Sequence, residues 1–124
     1  MENPKILICD DSILARKQLK DIAENCGYYN LIEASNGQEA IDLYQEHNPQ
    51  LVFMDIVMPK KGGVEAIREI RKSDPKAYIV VVSSVGTQTQ LKLAILEGAR
   101  DFVQKPFSST AIVEILKGRF EGRY

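Results

Sequence analysis

Two adjacent carboxylates, Asp10 and Asp11, directly follow the apolar run ILIC near the start of the chain. Like charges repel each other, and partial enclosure adds a desolvation cost. A third carboxylate, Asp55, follows a second apolar run, LVFM. Hard oxygen ligands suit Mg²⁺, which typically takes one or two protein carboxylates together with phosphate oxygens. The three carboxylates therefore indicate a divalent-cation site, and such an ion would make the Asp10–Asp11 pair tolerable.

Other polar side chains also follow apolar runs. Ser83 and Ser84 come after IVVV, and Lys105 comes after FVQ. A serine pair alone is explained by turn chemistry, and an acidic pair alone by capping of a strand end. Their joint occurrence with a lysine at the end of another strand is harder to obtain by accident. We therefore expect one polar site that contains a single cationic side chain.

The elements that must position these residues alternate along the chain. Short apolar or period-2 runs predict strands over residues 5–9, 31–34, 51–54, 78–82 and 101–103. Period-3.6 stripes between them predict five helices, of which the first stops at Gly27, the second ends before Pro49 and the fifth begins at Ser108 or Ser109. The positions expected to face the sheet are Ala15, Leu19, Ile22, Ala23, Cys26; Ala40, Ile41, Tyr44; Val64, Ile67, Ile70; Leu91, Ala94, Ile95, Gly98; and Ala111, Ile112, Ile115, Leu116.

Five strand–helix repeats with strongly apolar central strands predict an α/β fold, a doubly wound parallel sheet covered by helices on both faces. In such sheets the working site lies at the carboxyl ends of the strands. Every polar residue of interest falls at such an end. The whole chain, residues 1–124, is expected to form one domain, since 124 residues can bury a sufficient core.

Composition excludes several functions. The net charge of −1 gives no reason to expect nucleic acid or a membrane as a partner. No apolar run approaches a membrane span, and the first residues lack the pattern of a signal peptide, so a cytoplasmic location is expected. Cys9 and Cys26 are most simply small buried hydrophobes. The single histidine, His47, is expected to be a solvated residue at a helix end.

Four segments in order, ILICDDS, MDIVMP, VVVSS and FVQKPF, each reach the carboxyl end of a predicted strand. On the basis of these segments, the chain resembles the receiver domains of two-component response regulators over essentially its whole length. Its overall layout resembles that of the stand-alone chemotaxis-type regulators. The resemblance implies a flavodoxin-like strand order of 2-1-3-4-5. It also implies a phosphoacceptor rather than an enzyme, one that assists its own phosphotransfer and dephosphorylation.

Position by position, the resemblance implies that Asp55 accepts a phosphoryl group from the phosphohistidine of a histidine kinase. Asp11 and Asp55 would bind Mg²⁺ directly with the backbone carbonyl of Val57, and Asp10 would act largely through water. Lys105 would pair with a phosphoryl oxygen, and the Lys105–Pro106 bond is expected to be cis.

The resemblance further implies a switch. Ser83 would hydrogen-bond the phosphoryl group, and Phe102 would turn inward in response. The face formed by helix 4, strand 5 and helix 5 would then control an unidentified protein target or form a homodimer. Leu93 and Leu96 fall off the buried stripe of helix 4 and are expected to be exposed on that face.

Some positions depart from the family pattern. Gly62 stands where a capping side chain is usual, which should loosen the start of helix 3. Val57 is apolar and cannot orient an attacking water, which favours a longer-lived acyl phosphate. Ser84 replaces a smaller residue and narrows the approach for a kinase.

Three other functions have sequence requirements that can be compared with this chain. A flavin-binding electron carrier needs a phosphate-binding loop where DDSIL presents two negative charges. An aspartyl-nucleophile phosphatase needs an Asp-x-Asp pair on the first strand and a cap domain, and neither is present. The remaining alternative is a phosphorylation-independent interaction module, a degenerate receiver, which the complete set of site residues disfavours.

Overall fold

Five strands alternate with five helices in the computed structural model, which describes residues 3–122. The strands are β1 (Lys5–Cys9), β2 (Asn30–Ala34), β3 (Leu51–Asp55), β4 (Ile79–Ser83) and β5 (Asp101–Gln104). The helices are α1 (Ile13–Asn25), α2 (Gly37–His47), α3 (Gly63–Ser73), α4 (Gln88–Leu96) and α5 (Ser109–Glu121).

All strand pairs are parallel, and the sheet order is β2-β1-β3-β4-β5. Every residue of β3 and β4 is buried, as continuous apolar runs in a parallel sheet require. The predicted fold class and strand order are confirmed. The order reverses between β1 and β3, so a crevice opens where the carboxyl ends of these two neighbouring strands diverge into their helices.

Alternate strand residues supply two core layers. Leu7 and Met54 pack with α2, α3 and α4 on one face, whereas Ile8 and Phe53 pack with α1 and α5 on the other. Several stripe residues are only partly buried but pack against these layers: Ile22, Cys26, Val64, Leu91, Ala111 and Ile115. The two layers enclose β1 and β3 on both faces, which fixes where their carboxyl ends emerge.

Three of the helices begin with a side-chain cap. Ser12, Asn36 and Ser108 each accept a hydrogen bond from a backbone N–H of the first turn. Gly62 caps α3 without a side-chain hydrogen bond, as its residue type predicts.

One predicted core position of α4 is wrong. Ile95 does not face the sheet, because its side chain is 46% exposed. α4 lies against α3 and β4 with only a narrow stripe, in which Ala94 is buried and Leu91 partly buried. Ile95 is turned about 100° from Ala94 around the helix, which carries it out of that stripe. It joins Leu93 and Leu96, which are exposed as predicted.

Among the described residues, no helix combines the length and the apolar character needed to cross a membrane.

Candidate functional site

Three carboxylates converge at the carboxyl ends of β1 and β3. One carboxylate oxygen from each of Asp10, Asp11 and Asp55 can be chosen so that the three lie within 4.8 Å of one another. Asp10 and Asp55 are 1% and 3% exposed, whereas Asp11 is exposed at the mouth of the cluster. Neighbouring parallel strands that end at the same level produce this convergence. The structure thus brings together the three acidic residues that the sequence singled out.

Both carboxylate oxygens and both backbone polar groups of Asp10 have a close partner. Its Oδ1 accepts a hydrogen bond from the N–H of Ser12 at 2.9 Å, and its Oδ2 lies 2.8 Å from Nζ of Lys105. Its own N–H donates to the carbonyl of Ala34 at 3.0 Å. Its carbonyl accepts from Nη1 of Arg16 at 2.7 Å. These contacts fix the orientation of a carboxylate that burial would otherwise destabilise.

Lys105 is the cation of the site. Its Nζ lies 3.5 Å from Oδ2 of Asp55 in addition to its shorter contact with Asp10. Burial acts to lower the pKa of Lys105, but the hydrogen bond and charge of Asp10 and the charge of Asp55 outweigh it and leave that pKa above its usual value. The backbone N–H of Lys105 donates to the carbonyl of Ser83 at 2.7 Å, and the bond to Pro106 is cis, as the resemblance implied.

Asp55 is an unusually basic carboxylate. Burial, followed by the negative charge of Asp10, raises its pKa to about 6, against the opposing effect of Lys105. Its Oδ1 accepts a hydrogen bond from the N–H of Ile56 at 2.9 Å. The excess of negative charge fits a hard divalent cation, because three carboxylates face a single ammonium group and all the donors are oxygens. Mg²⁺ is therefore compatible with the residues present.

The loop from Ile56 to Gly62 carries Val57, whose side chain is 58% exposed. The loop closes through a hydrogen bond from the N–H of Gly63 to the carbonyl of Ile56 at 2.8 Å. A Cβ atom at Gly63 would lie only 2.2 Å from the carbonyl oxygen of Asp55, so the close approach requires glycine. The contribution of the Val57 carbonyl to metal binding stays a prediction.

Ser83 ends β4 beside the acidic cluster but points elsewhere in this state. It is buried, and its hydroxyl lies 3.4 Å from the carbonyl of Val103, to which it donates. Phe102 on β5 is 47% exposed. A cavity of about 220 Å³ lies between them and is also lined by Thr87 and Leu91. The two predicted switch residues thus line one cavity, and Phe102 is about half exposed.

A further ion-pair network supports the site and was missed from the sequence. Nε of Arg16 on α1 donates to Glu33 of β2 at 2.9 Å, and Lys20 one turn later contacts the same carboxylate at 3.1 Å. Burial acts to raise the pKa of Glu33, but the hydrogen bonds from Arg16 and Lys20 outweigh it and lower that pKa. The four-residue spacing of the two basic residues was the available signal, but it did not identify their partner.

Residues 6–117 match the family described as the response regulator receiver domain. The chain therefore belongs to that family, whose members are signalling proteins of two-component systems, and the resemblance noted in the sequence is confirmed. The chemotaxis protein CheY of Thermotoga maritima is 46% identical over 112 residues, which cover 90% of this chain and 93% of that protein. CheY of Bacillus subtilis is 41% identical with the same coverage of each chain.

Solved structures give the same result. A two-component response regulator of the LuxR family from Aurantimonas sp. superposes with a TM-score of 0.86 at 30% identity, covering 98% of this chain and 88% of that one. CheY in a CheX–CheY–BeF3–Mg complex from Borrelia burgdorferi gives 0.86 at 30% identity, with 94% and 88% covered. The architecture is thus that of a CheY-like receiver.

Proposed function

We propose that this protein is a phosphorylation-dependent signalling switch, with residues 1–124 acting as one receiver domain, and that Asp55 accepts the phosphoryl group. The observation that carries the proposal is the setting of one buried carboxylate. Oδ2 of Asp55 lies 3.5 Å from Nζ of Lys105, and one Asp55 oxygen lies within 4.8 Å of one oxygen of Asp10 and one of Asp11. Asp10 shares the burial and both kinds of neighbour, but Nζ of Lys105 and the N–H of Ser12 already occupy its two oxygens at 2.8 and 2.9 Å. Oδ2 of Asp55 is less engaged, and the resemblance to receiver domains assigns the acceptor to the carboxylate after the third strand.

The donor is the phosphohistidine of a partner histidine kinase. An Asp55 oxygen attacks phosphorus, the P–N bond to the histidine breaks, and the histidine nitrogen keeps the bonding electrons. Phosphoryl transfer depends mainly on positioning and on neutralising the charge of the phosphoryl oxygens. Lys105 supplies an ammonium group already beside Asp55, and the N–H of Ile56 orients the acceptor carboxylate.

Mg²⁺ is the proposed cofactor. Asp11, Asp55 and the Val57 carbonyl would hold the ion, with Asp10 acting through water, and the bound ion would neutralise phosphoryl charge. The carboxylate-rich donor set and the presence of Mg²⁺ in the crystallised CheX–CheY complex of Borrelia burgdorferi support this assignment.

The response would start at Ser83. Its hydroxyl would leave the carbonyl of Val103 for a phosphoryl oxygen, and Phe102 would turn into the space beside Thr87 and Leu91. The weak 3.4 Å contact of Ser83 supports this step because little is lost when it breaks. The movement would reshape the face formed by α4, β5 and α5.

That face supplies the proposed output surface, which exposes Leu93, Ile95, Leu96 and Phe102. Exposed aliphatic and aromatic side chains in one area mark a site for protein association. A protein target is the first candidate partner, since a CheY homologue is crystallised with the protein CheX, and a second copy of this chain is the other. We expect no contact with nucleic acid or membrane, and family membership alone leads us to propose a cytoplasmic location.

The proposal is tested by incubation with acetyl phosphate in the presence and absence of Mg²⁺. Incorporation of one phosphoryl group only when Mg²⁺ is present supports the switch. Absence of incorporation under both conditions would instead identify a phosphorylation-independent interaction module.

A further inference from the structure

The turn between β2 and α2 lies between the two halves of the acidic site. On one side, the carbonyl of Ala34 accepts a hydrogen bond from the N–H of Asp10 at 3.0 Å. On the other side, the N–H of Gly37 donates to the carbonyl of Lys61 at 2.9 Å. A single four-residue stretch, 34–37, therefore contacts both the strand end that carries Asp10 and the loop that follows Asp55.

Gly37 makes its contact at a distance that excludes a side chain. A Cβ atom at this buried position would lie 2.3 Å from the carbonyl oxygen of Lys61 and 2.7 Å from its carbonyl carbon. Gly37 is also the first residue of α2, where backbone N–H groups have no acceptor within the helix. The Lys61 carbonyl satisfies that donor, and its partial negative charge faces the positive end of the helix dipole.

Lys61 is held from two directions. While Gly37 contacts its backbone, its Nζ lies 2.6 Å from Oε2 of Glu69 on α3. Its own N–H donates to the carbonyl of Pro59 at 2.8 Å and closes a tight turn through Lys60, whose φ of 67° is left-handed. The far end of the loop from Ile56 to Gly62 is thus anchored, and its near end is fixed by β3.

We infer that Gly37 is a positioning residue for the Mg²⁺ site, and this inference rests on the function proposed above. Its hydrogen bond to Lys61 sets the path of the loop that follows Asp55, and hence the place at which the Val57 carbonyl is presented. The Ala34–Asp10 hydrogen bond ties the same stretch to the opposite carboxylate. Groups that orient metal ligands without touching the metal commonly affect metal affinity about 10–100-fold.

The test compares the Mg²⁺ affinity of the wild-type chain and the Gly37→Ala variant by calorimetric titration. We expect binding to weaken roughly tenfold in a variant that keeps the far-UV spectrum of the wild type. One control separates this from general destabilisation. Tyr44→Phe removes a hydrogen bond near the opposite end of the same helix. This variant should bind Mg²⁺ like the wild type, and equal affinity in Gly37→Ala would overturn the inference.

A measurement on the unaltered protein decides the matter if Gly37→Ala does not fold. Coupling between two sites is reciprocal, so Mg²⁺ binding must strengthen the contact that assists it. The amide hydrogen of Gly37 should exchange several-fold more slowly when Mg²⁺ is bound, and unchanged exchange would contradict the inference. A wild-type chain that binds no Mg²⁺ at all would overturn the proposed function itself, an outcome distinct from Mg²⁺ binding that is insensitive to Gly37.

Discussion

Nζ of Lys105 lies 2.8 Å from Oδ2 of Asp10, closer than the 3.5 Å that separates it from Asp55. The single ammonium group of the site is therefore shared between two buried carboxylates and favours the one that is not the proposed acceptor. A phosphoryl group on Asp55 would bring new negative oxygens within reach of the same ammonium group. Asp10 and these oxygens would then compete for Lys105. Phosphorylation of Asp55 would therefore change the contacts of Lys105 at the ends of both β1 and β3.

Asp55→Asn should stabilise the metal-free protein at about pH 7 but not at about pH 4. The pKa of Asp55 is about 6 in the folded chain and about 3.9 when unfolded, so between these values only the folded state holds the proton. Raising the pH through this window therefore lowers the free energy of unfolding. Above the folded-state pKa the loss is complete and amounts to a free energy on the order of 1–3 kcal/mol. Urea denaturation in the presence of a chelator measures the gain, and a gain of equal size at both pH values would contradict the account.

Asp11→Ala should weaken Mg²⁺ binding by a larger factor than Asp10→Asn. Asp10 is already oriented by Lys105 and the N–H of Ser12, which suits a role through water, whereas Asp11 is exposed at the mouth of the cluster. Calorimetric titration of the two variants beside the wild type gives the comparison. Equal losses would mean that the proposed division between direct and water-mediated contact is wrong.

Tyr44→Phe should lower the free energy of unfolding by about 1 kcal/mol near neutral pH. The hydroxyl of Tyr44 donates to Oδ2 of Asp74 at 2.6 Å, and this hydrogen bond holds the pKa of Asp74 below its ordinary value. A carboxylate with a lowered pKa contributes stability above its unfolded pKa, and the contribution is lost as the pH falls through its folded pKa. Urea denaturation should show the difference between the two proteins shrinking below about pH 4, and a pH-independent difference would contradict this assignment.

Replacement of both Leu93 and Leu96 by serine should leave Asp55 phosphorylation intact while weakening association with a target or a second copy. Both leucines are exposed, so the change in stability should stay within about 0.5 kcal/mol. Sedimentation of the phosphorylated protein, with and without candidate targets, provides the measurement. Serine at Ile13 and Leu14, two exposed aliphatic positions on α1, is the matched control and should keep the association.

Loss of phosphorylation in the Leu93/Leu96 double variant would show that these residues act before the output step. Unchanged association would place the output surface elsewhere.

Much of this architecture could be predicted from the sequence, because burial on both faces gives the central strands continuous apolar runs. The observed strands β3 and β4 each end one residue later than predicted, at Asp55 and Ser83. A polar side chain is tolerated at the last paired position of a strand. The prediction that Ile95 faces the sheet is wrong. Its spacing fits an apolar stripe, but the buried face of α4 is too narrow to include it.

The hydrogen bonds that hold the site together were harder to predict from the sequence. The hydrogen bond from Arg16 to the Asp10 carbonyl and that from Gly37 to the Lys61 carbonyl end on backbone atoms. A carbonyl carries no residue-specific signal, so no pattern of residue types could reveal its partner. The carboxylates and Lys105 could be predicted because the chemistry resides in their side chains and the fold places strand ends together.

Mass spectrometry after treatment with acetyl phosphate and Mg²⁺ decides whether Asp55 is the phosphoacceptor. We expect one added phosphoryl group on the wild-type chain, located on Asp55 after proteolysis, and none on Asp55→Asn. An Asp55→Asn chain that acquires the phosphoryl group as the wild type does would place the acceptor on another residue.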